Sequence, residues 1–289
     1  MKEKYIRNEY WLVTTEHLKD KLLFKDEEDF KTGMNYVAVA ATVPNLKVLA
    51  FILMSNHLHF ILYCSKDTSL SFISRFKKLY SQYYNSKYKS PSLLRGNNVD
   101  IKHLPDCDEI LEKAIAYVQM NSVAANICLH PSGYPWGTGN SFFNNTPQAG
   151  RLVGDFGLRA RIRMFHSKTQ LPAEYLVGNN EYILPESYVQ VQLVESIFKT
   201  PRRMNFFLNN SSKAKLLKES PSFNDQLVMS ACRDLSISLF RKDRLDDLSE
   251  EQAAEILKQL RYRFSSDPNQ LSRITGIEYS KVCHLLESF

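Results

Sequence analysis

Residues 47–63 read Lys47-Val48-Leu49-Ala50-Phe51-Ile52-Leu53-Met54, then Ser55-Asn56, then His57-Leu58-His59-Phe60-Ile61-Leu62-Tyr63. A nearly all-apolar run forms one strand, Ser55-Asn56 makes a tight turn, and the chain runs back as a second strand. On a strand, residues two apart point to the same face. His57 and His59 therefore project together, while Leu58, Phe60 and Leu62 fill a core on the other side.

The flanks extend this hairpin into a fold. Upstream, Trp11 to Thr15 reads as a strand. A helix runs from Lys25 to about Ala41, opened by Asp26-Glu27-Glu28-Asp29, acids suited to a positive helix end, and Pro44-Asn45 breaks it. Downstream, Thr68 or Ser69 caps a helix to about Lys87. Ser90-Pro91 ends it, and a short strand lies near Val99 to His103. The order gives fold class α+β: a ferredoxin-like βαββαβ domain with an open antiparallel sheet, followed by a mainly helical C-terminal region. Asp106 or Asp108 then caps a helix to about Ile127, and Tyr134-Pro135-Trp136 reads as a docking turn. Gly137 to Gly150 is rich in turn residues and marks a boundary. The expected division is a domain over 1–145, a mostly helical accessory region over 146–245, and a helix-turn-helix segment over 246–289. The last rests on a capping box at Ser249-Glu250-Glu251-Gln252, on Asp267-Pro268 as cap and first helical residue, and on a turn at Thr275-Gly276.

Composition narrows the class. The chain has 289 residues, 44% of them hydrophobic and 24% charged, which is a globular profile rather than a disordered one. No apolar run approaches the roughly 20 residues that span a bilayer, and the first residues lack an apolar signal core. Cys64, Cys107, Cys128, Cys232 and Cys283 are odd in number, scattered, and form no CxxC. They read as reduced thiols of a cytoplasmic protein. A formal charge of +6 is mild, but it is unevenly spread. Lys66 to Arg95 holds seven cations against Asp67 and includes Tyr80, Tyr83, Tyr84 and Tyr88; Arg151 to Lys168 is also basic. Cations interleaved with aromatics suit a single-stranded nucleic acid; a solvated helix face over core aromatics reads equally well from the same residues.

Two patterns carry chemistry. Neutral imidazole is the commonest metal ligand, and His57 and His59 can hold one divalent ion from one side. The alternative is a pair of satisfied surface histidines. On the helix after Asp108, Tyr117 and Asn121 lie four residues apart, one turn, so phenol and carboxamide stack along one side. Asn offers a carbonyl oxygen to a hard cation and Tyr a phenolic nucleophile. If this helix crosses the open sheet face, Asn121 completes the histidine pair. If not, Tyr117 is a packing tyrosine. A metal-dependent hydrolase on an amidohydrolase-like barrel would need further metal His, Lys or Asp at strand ends; His17, His103, His130, His166 and His284 follow no such pattern, and eight βα repeats are absent.

The stretch Met54-Ser55-Asn56-His57-Leu58-His59-Phe60-Ile61-Leu62 resembles the MPNHxHxLL signature of HUH-type single-tyrosine transposases. Ile115 to Ala125 resembles the RYIxxNPVRAG helix of the REP-associated branch, and Tyr134-Pro135-Trp136 its DYPWSS turn. The resemblance covers roughly the first half of the chain. It implies a catalytic domain that cuts and rejoins single-stranded DNA, with His57 and His59 as metal ligands, Asn121 as the third ligand and Tyr117 as the nucleophile. It implies Mg²⁺ or Mn²⁺ as cofactor and single-stranded or hairpin DNA as partner; the lack of a spanning apolar run points to no membrane partner. Candidate strand contacts are Arg75, Lys77, Lys78, Tyr84, Lys87 and Arg95. A homodimer stays open, and so does a domesticated relative that binds DNA hairpins without cutting. Ser55 stands where the family has proline, and Ser122, Ala124 and Asn126 replace the proline, arginine and glycine of NPVRAG. The aromatic-Gln-Gly-Arg-Phe stretch that precedes the family's tyrosine helix has no clear counterpart at Leu93 to Val99.

Overall fold

The computed structural model describes residues 7–18, 21–90, 94, 96–146, 149–213 and 223–288. Strands β1 (Glu9–Thr15), β2 (Lys47–Met54), β3 (His57–Cys64) and β4 (Val99–Leu104) form one sheet in the order β2-β3-β1-β4, every neighbouring pair antiparallel. Met54 pairs with His57, so Ser55-Asn56 closes a two-residue hairpin, and the pairing slips once between Val48 and Ala50. Helix α1 (Glu27–Ala40) joins β1 to β2, and helix α2 (Lys66–Tyr88) joins β3 to β4.

Helices α1 and α2 cover one sheet face. Phe60 points into it, its ring centroid 5.0 Å from Phe72 and 6.0 Å from Phe76. The α2 cap is Ser65, whose Oγ accepts the Thr68 N–H at 3.1 Å, rather than Thr68 or Ser69. Ser65 keeps extended backbone at the end of β3, so the helix can begin at once behind it.

The other face is covered too. Helix α3 (Asp108–Gln119) lies across β2 and β3, so the expected helix does cross the face that carries the histidines. It does not run on to Ile127. It ends at Met120 (φ −75°, ψ 0°), and a single turn, α4 (Asn121–Ala124), follows. Cys107, not an aspartate, occupies its N-terminal cap position and makes no side-chain cap bond.

The free edge of β2 is closed by two later segments. Trp136 O accepts the Leu53 N–H at 2.8 Å, Thr138 N donates to Phe51 O at 3.0 Å, and Gln190 N donates to Val48 O at 2.9 Å. The Tyr134 hydroxyl donates to Leu53 O at 2.8 Å, which seats the Tyr134-Pro135-Trp136 turn on the strand. Gly137 permits the approach: a Cβ there would lie 2.7 Å from Phe51 O. Closing an edge this way satisfies its backbone groups and prevents strand pairing with other chains.

The apolar cluster that packs on the sheet continues past 145. Beyond it come β5 (Gly150–Leu152), α5 (Leu158–Phe165), β6 (Leu176–Gly178), α6 (Val191–Phe198) and α7 (Pro201–Asn209). Val153, Phe165, Val177, Ile183, Val194, Phe198 and Leu208 pack into the same apolar cluster as the sheet. A second cluster holds Val228, Cys232, Leu235, Leu257, Leu260, Leu271, Val282 and Leu285, with Leu22 reaching in. It belongs to α8 (Asp225–Phe240), α9 (Glu250–Phe264), α10 (Pro268–Thr275) and α11 (Tyr279–Ser288). Among the described residues this helical cluster takes in α8, from Asp225 on, as well as the helices after 246. Val228, Cys232 and Leu235 form the i, i+4, i+7 stripe that α9 and α10 pack against. The Ser249–Gln252 capping box and the Asp267 cap before Pro268 are formed, and Gly276 turns α10 into α11 at φ +74°. Among the described residues, no helix is long and apolar enough to cross a membrane.

Candidate metal and nucleophile site

Strand alternation puts His57 and His59 on the α3 side of the sheet, both buried. Their rings meet edge to face, with centroids 4.8 Å apart. Each ring is held from behind. His57 Nδ1 lies 2.8 Å from Asn56 Oδ1, and the Asn56 Nδ2 donates to Leu18 O at 2.9 Å. The Asn56 oxygen is thus the acceptor, His57 carries its proton on Nδ1, and Nε2 presents a lone pair. His59 Nδ1 sits 2.9 Å from Thr14 Oγ1, a hydroxyl that can accept in the same manner.

The two Nε2 atoms are buried and have no hydrogen-bond partner among the described residues. An unpartnered buried polar atom is costly unless something outside the chain meets it. Asn121, buried at the start of α4, faces both rings. Its Nδ2 donates back to Tyr117 O at 2.9 Å and Val118 O at 3.1 Å, which leaves its carboxamide oxygen as the atom turned to the imidazoles. The ring of Tyr117 stands edge-on to His59 with centroids 5.7 Å apart, within one chain.

His17 completes the cluster. It faces solvent and stacks on His57 at 3.6 Å and 18°. The ligating nitrogens of His17, His57 and His59 all lie within 4.8 Å of one another. The sequence held little sign of it. Thr14 pairs with His59, so continuing that register puts Glu16 opposite His57 and His17 just beyond, but this pairing is known only once the sheet is.

The electrostatics match a set of neutral donors. Burial, then its histidine neighbours and Lys213, hold His57 well below the usual imidazole range. Burial first, then Lys213 and His17, pull His59 down to about 3. Burial, Lys213 and Arg273 lower His17. Asn121 opposes the shift at His57 and His59 without reversing it. All three rings thus keep free lone pairs at neutral pH. Burial raises the Tyr117 phenol. Lys213 Nζ, 5.0 Å from the Tyr117 ring centroid, was not singled out in the sequence, since nothing local links residue 213 to residue 117.

The candidate strand contacts do not join this group. Arg75, Lys77, Lys78, Tyr84 and Lys87 all sit on α2, across the sheet from the histidines. Tyr84 is buried and donates to Leu22 O, so its ring offers no stacking platform. Lys87 is engaged at 2.7 Å by both Asp26 and Asp29. Lys77 donates to Asn97 O and Arg75 to Thr169 Oγ1, while Lys78 is exposed. Arg95 lies outside the described residues. Composition made this stretch look like a strand-binding face; a buried carboxylate, Asp29, engages part of it, since it accepts from Tyr83, Lys87 and Tyr88.

A cleft of about 210 Å³ opens beside the site. His17, Asn56 and His57 line one side, and Asn224, Gln270 and Arg273 of the second helical unit line the other. The two units are joined there by Asp225, which is buried and accepts from Ser55 Oγ at 2.6 Å, from Gln270 Nε2 at 3.0 Å and from Arg273 Nη2 at 3.2 Å. Ser55 thus links the hairpin turn to the second helical unit through its hydroxyl.

No protein-family model matches the chain, and no curated protein does. Among solved structures it is similar to the REP-associated tyrosine transposase bound to a REP hairpin, with TM-score 0.37, 11% identity, and coverage of 60% of this chain and 95% of that one. This is a distant likeness of fold, and no residue role is carried across from it.

Proposed function

We propose that this chain is a metal-dependent tyrosine nuclease and strand transferase for single-stranded DNA, built on a ferredoxin-like βαββαβ sheet. The strand order β2-β3-β1-β4 with antiparallel neighbours supports the fold reading. One observation carries the function: two orphaned imidazole nitrogens, a carboxamide oxygen and a phenol from separate elements meet on one sheet face of one chain. A packing role for Tyr117 explains neither unpartnered Nε2 atom.

The donor set fits a divalent ion such as Mg²⁺ or Mn²⁺. His57, His59 and Asn121 would hold it, with His17 as a further donor on the solvent side. When bound, it supplies charge to polarise a phosphodiester and neutralise its non-bridging oxygens. The chain's own part is positional. Asn56 and Thr14 fix the ring planes, and the Asn121 bonds to Tyr117 O and Val118 O tie that donor to the helix that carries the nucleophile. The Tyr117 oxygen attacks phosphorus, an O–P bond to tyrosine forms, and the bond to the 3′-oxygen breaks. In the net exchange the phenol's proton ends on the released 3′-hydroxyl. The 5′-phosphotyrosine keeps the bond energy, so a second 3′-hydroxyl can reseal the strand. On this reading the protein acts in the cytoplasm, on DNA.

The test is to mix the protein with a hairpin-bearing single-stranded oligonucleotide and Mn²⁺. A covalent adduct resolved on a denaturing gel is expected. It should disappear with a chelator and in Tyr117→Phe, which keeps the ring and its packing. Hairpin binding with no adduct in Mn²⁺ or, in a parallel reaction, in Mg²⁺ would replace this reading with a DNA-binding relative that no longer cuts.

A further inference from the structure

Lys213 follows α7 in the chain and approaches the site from outside the sheet. Its backbone N–H donates to the Oγ of the buried Ser211 at 3.3 Å, which anchors the loop. Its side chain is half-buried, with Nζ 5.0 Å from the Tyr117 ring centroid. Several cations that are not fully exposed have carboxylates: Lys87 has Asp26 and Asp29, Arg273 has Asp225, and Arg203 has Glu112, while Lys77 donates to Asn97 O and Lys25 lies over the Tyr84 and Tyr88 rings. Among the described residues Lys213 has no carboxylate partner; its Nζ lies over the Tyr117 ring, and its charge reaches His17, His57 and His59.

Its surroundings make this notable. The metal-donor set around it is entirely neutral, three imidazoles and a carboxamide. Asp225, which lines the neighbouring cleft, is already taken by Ser55, Gln270 and Arg273. With a divalent ion in place, positive charge would gather here with no uncommitted carboxylate to balance it among the described residues. Partly buried positive charge of this kind calls for an anionic ligand. A lysine on a flexible stem is a common point-charge partner for phosphate.

We propose that Lys213 anchors the scissile phosphate beside Tyr117, a role that rests on the nuclease reading above. The ammonium would take up a non-bridging oxygen of the phosphodiester whose phosphorus faces the phenol. The second half of the chain would then complete the site rather than merely accompany it.

The experiment separates this from the reading beneath it. In the Tyr117→Phe background, where no bond can form, a dye-labelled hairpin oligonucleotide with Mn²⁺ is titrated across a range of salt. Lys213→Gln is expected to weaken binding about tenfold, since it removes one charge-assisted contact. The plot of log affinity against log salt should flatten by about 0.7, the signature of one lost single-strand phosphate contact. Lys213→Arg should restore the slope. Unchanged affinity and slope would overturn the proposal, and so would weaker binding at an unchanged slope, because a packing role lowers affinity without releasing counterions. Adduct formation by the protein with Tyr117 intact tests the nuclease reading separately: no adduct with a normal Lys213 slope change sinks the chemistry but keeps the phosphate anchor.

Discussion

Acidifying the metal-free protein from about pH 7.5 to about pH 5 is expected to remove about 2 kcal/mol of folding stability through His59 alone. Burial lowers this ring from 6.5 to about 3 in the folded chain. Between those values the unfolded chain binds a proton that the folded chain refuses. Stability therefore falls as the pH drops below 6.5, and the loss stops growing below about 3. At pH 5 the unfolded ring is about one and a half units into its titration, and each unit is worth about 1.4 kcal/mol. His57 shifts in the same direction and adds to the loss. The assay is urea unfolding of chelator-treated protein at the two pH values, repeated with His59→Asn, which cannot titrate. The variant should lose clearly less stability between them. Equal losses would refute the claim that His59 is held neutral by burial. The same neutrality has a consequence for metal. Mn²⁺ affinity should stay nearly level down to about pH 5, because the folded rings do not compete for protons there. An affinity that drops about tenfold per unit below 6.5, as ordinary histidines would give, would equally refute the reasoning.

Three further outcomes follow from the packing. Asp225→Ala leaves Ser55, Gln270 and the Arg273 guanidinium without their shared acceptor, so calorimetry should show the protein destabilised by about 2–4 kcal/mol. Ser55→Pro, which loses one hydroxyl bond to the same carboxylate, should cost about 1 kcal/mol by the same measurement. Gly137→Ala would force a Cβ to within 2.7 Å of Phe51 O and 3.1 Å of Ile52 Cα. Both atoms are β2 backbone, with no flexible end to yield, and urea unfolding should report a loss of about 1–3 kcal/mol.

The sheet hairpin was legible because period-two alternation is written into covalent geometry: Leu58 and Phe60 had to point away from His57 and His59 whatever else the chain did. Caps that depend on residues three apart, such as Ser249 with Gln252 and Asp267 before Pro268, were legible for the same reason. Tyr117 and Asn121 came out on one side of a helix from spacing alone, although the break at Met120 did not, because no proline or glycine marks it. The α2 cations and tyrosines were read from composition as a strand-binding face, and the structure engages Tyr84 and Lys87 elsewhere because Leu22 and Asp29 come from distant parts of the chain. His17, Lys213 and the Ser55–Asp225 contact likewise depend on separations of tens to hundreds of residues. The sequence by itself determined the local elements and which face each side chain takes, since these follow from backbone periodicity. Only the tertiary structure decided which of those faces meet, since that depends on how the whole core packs, and no short stretch of residues encodes it.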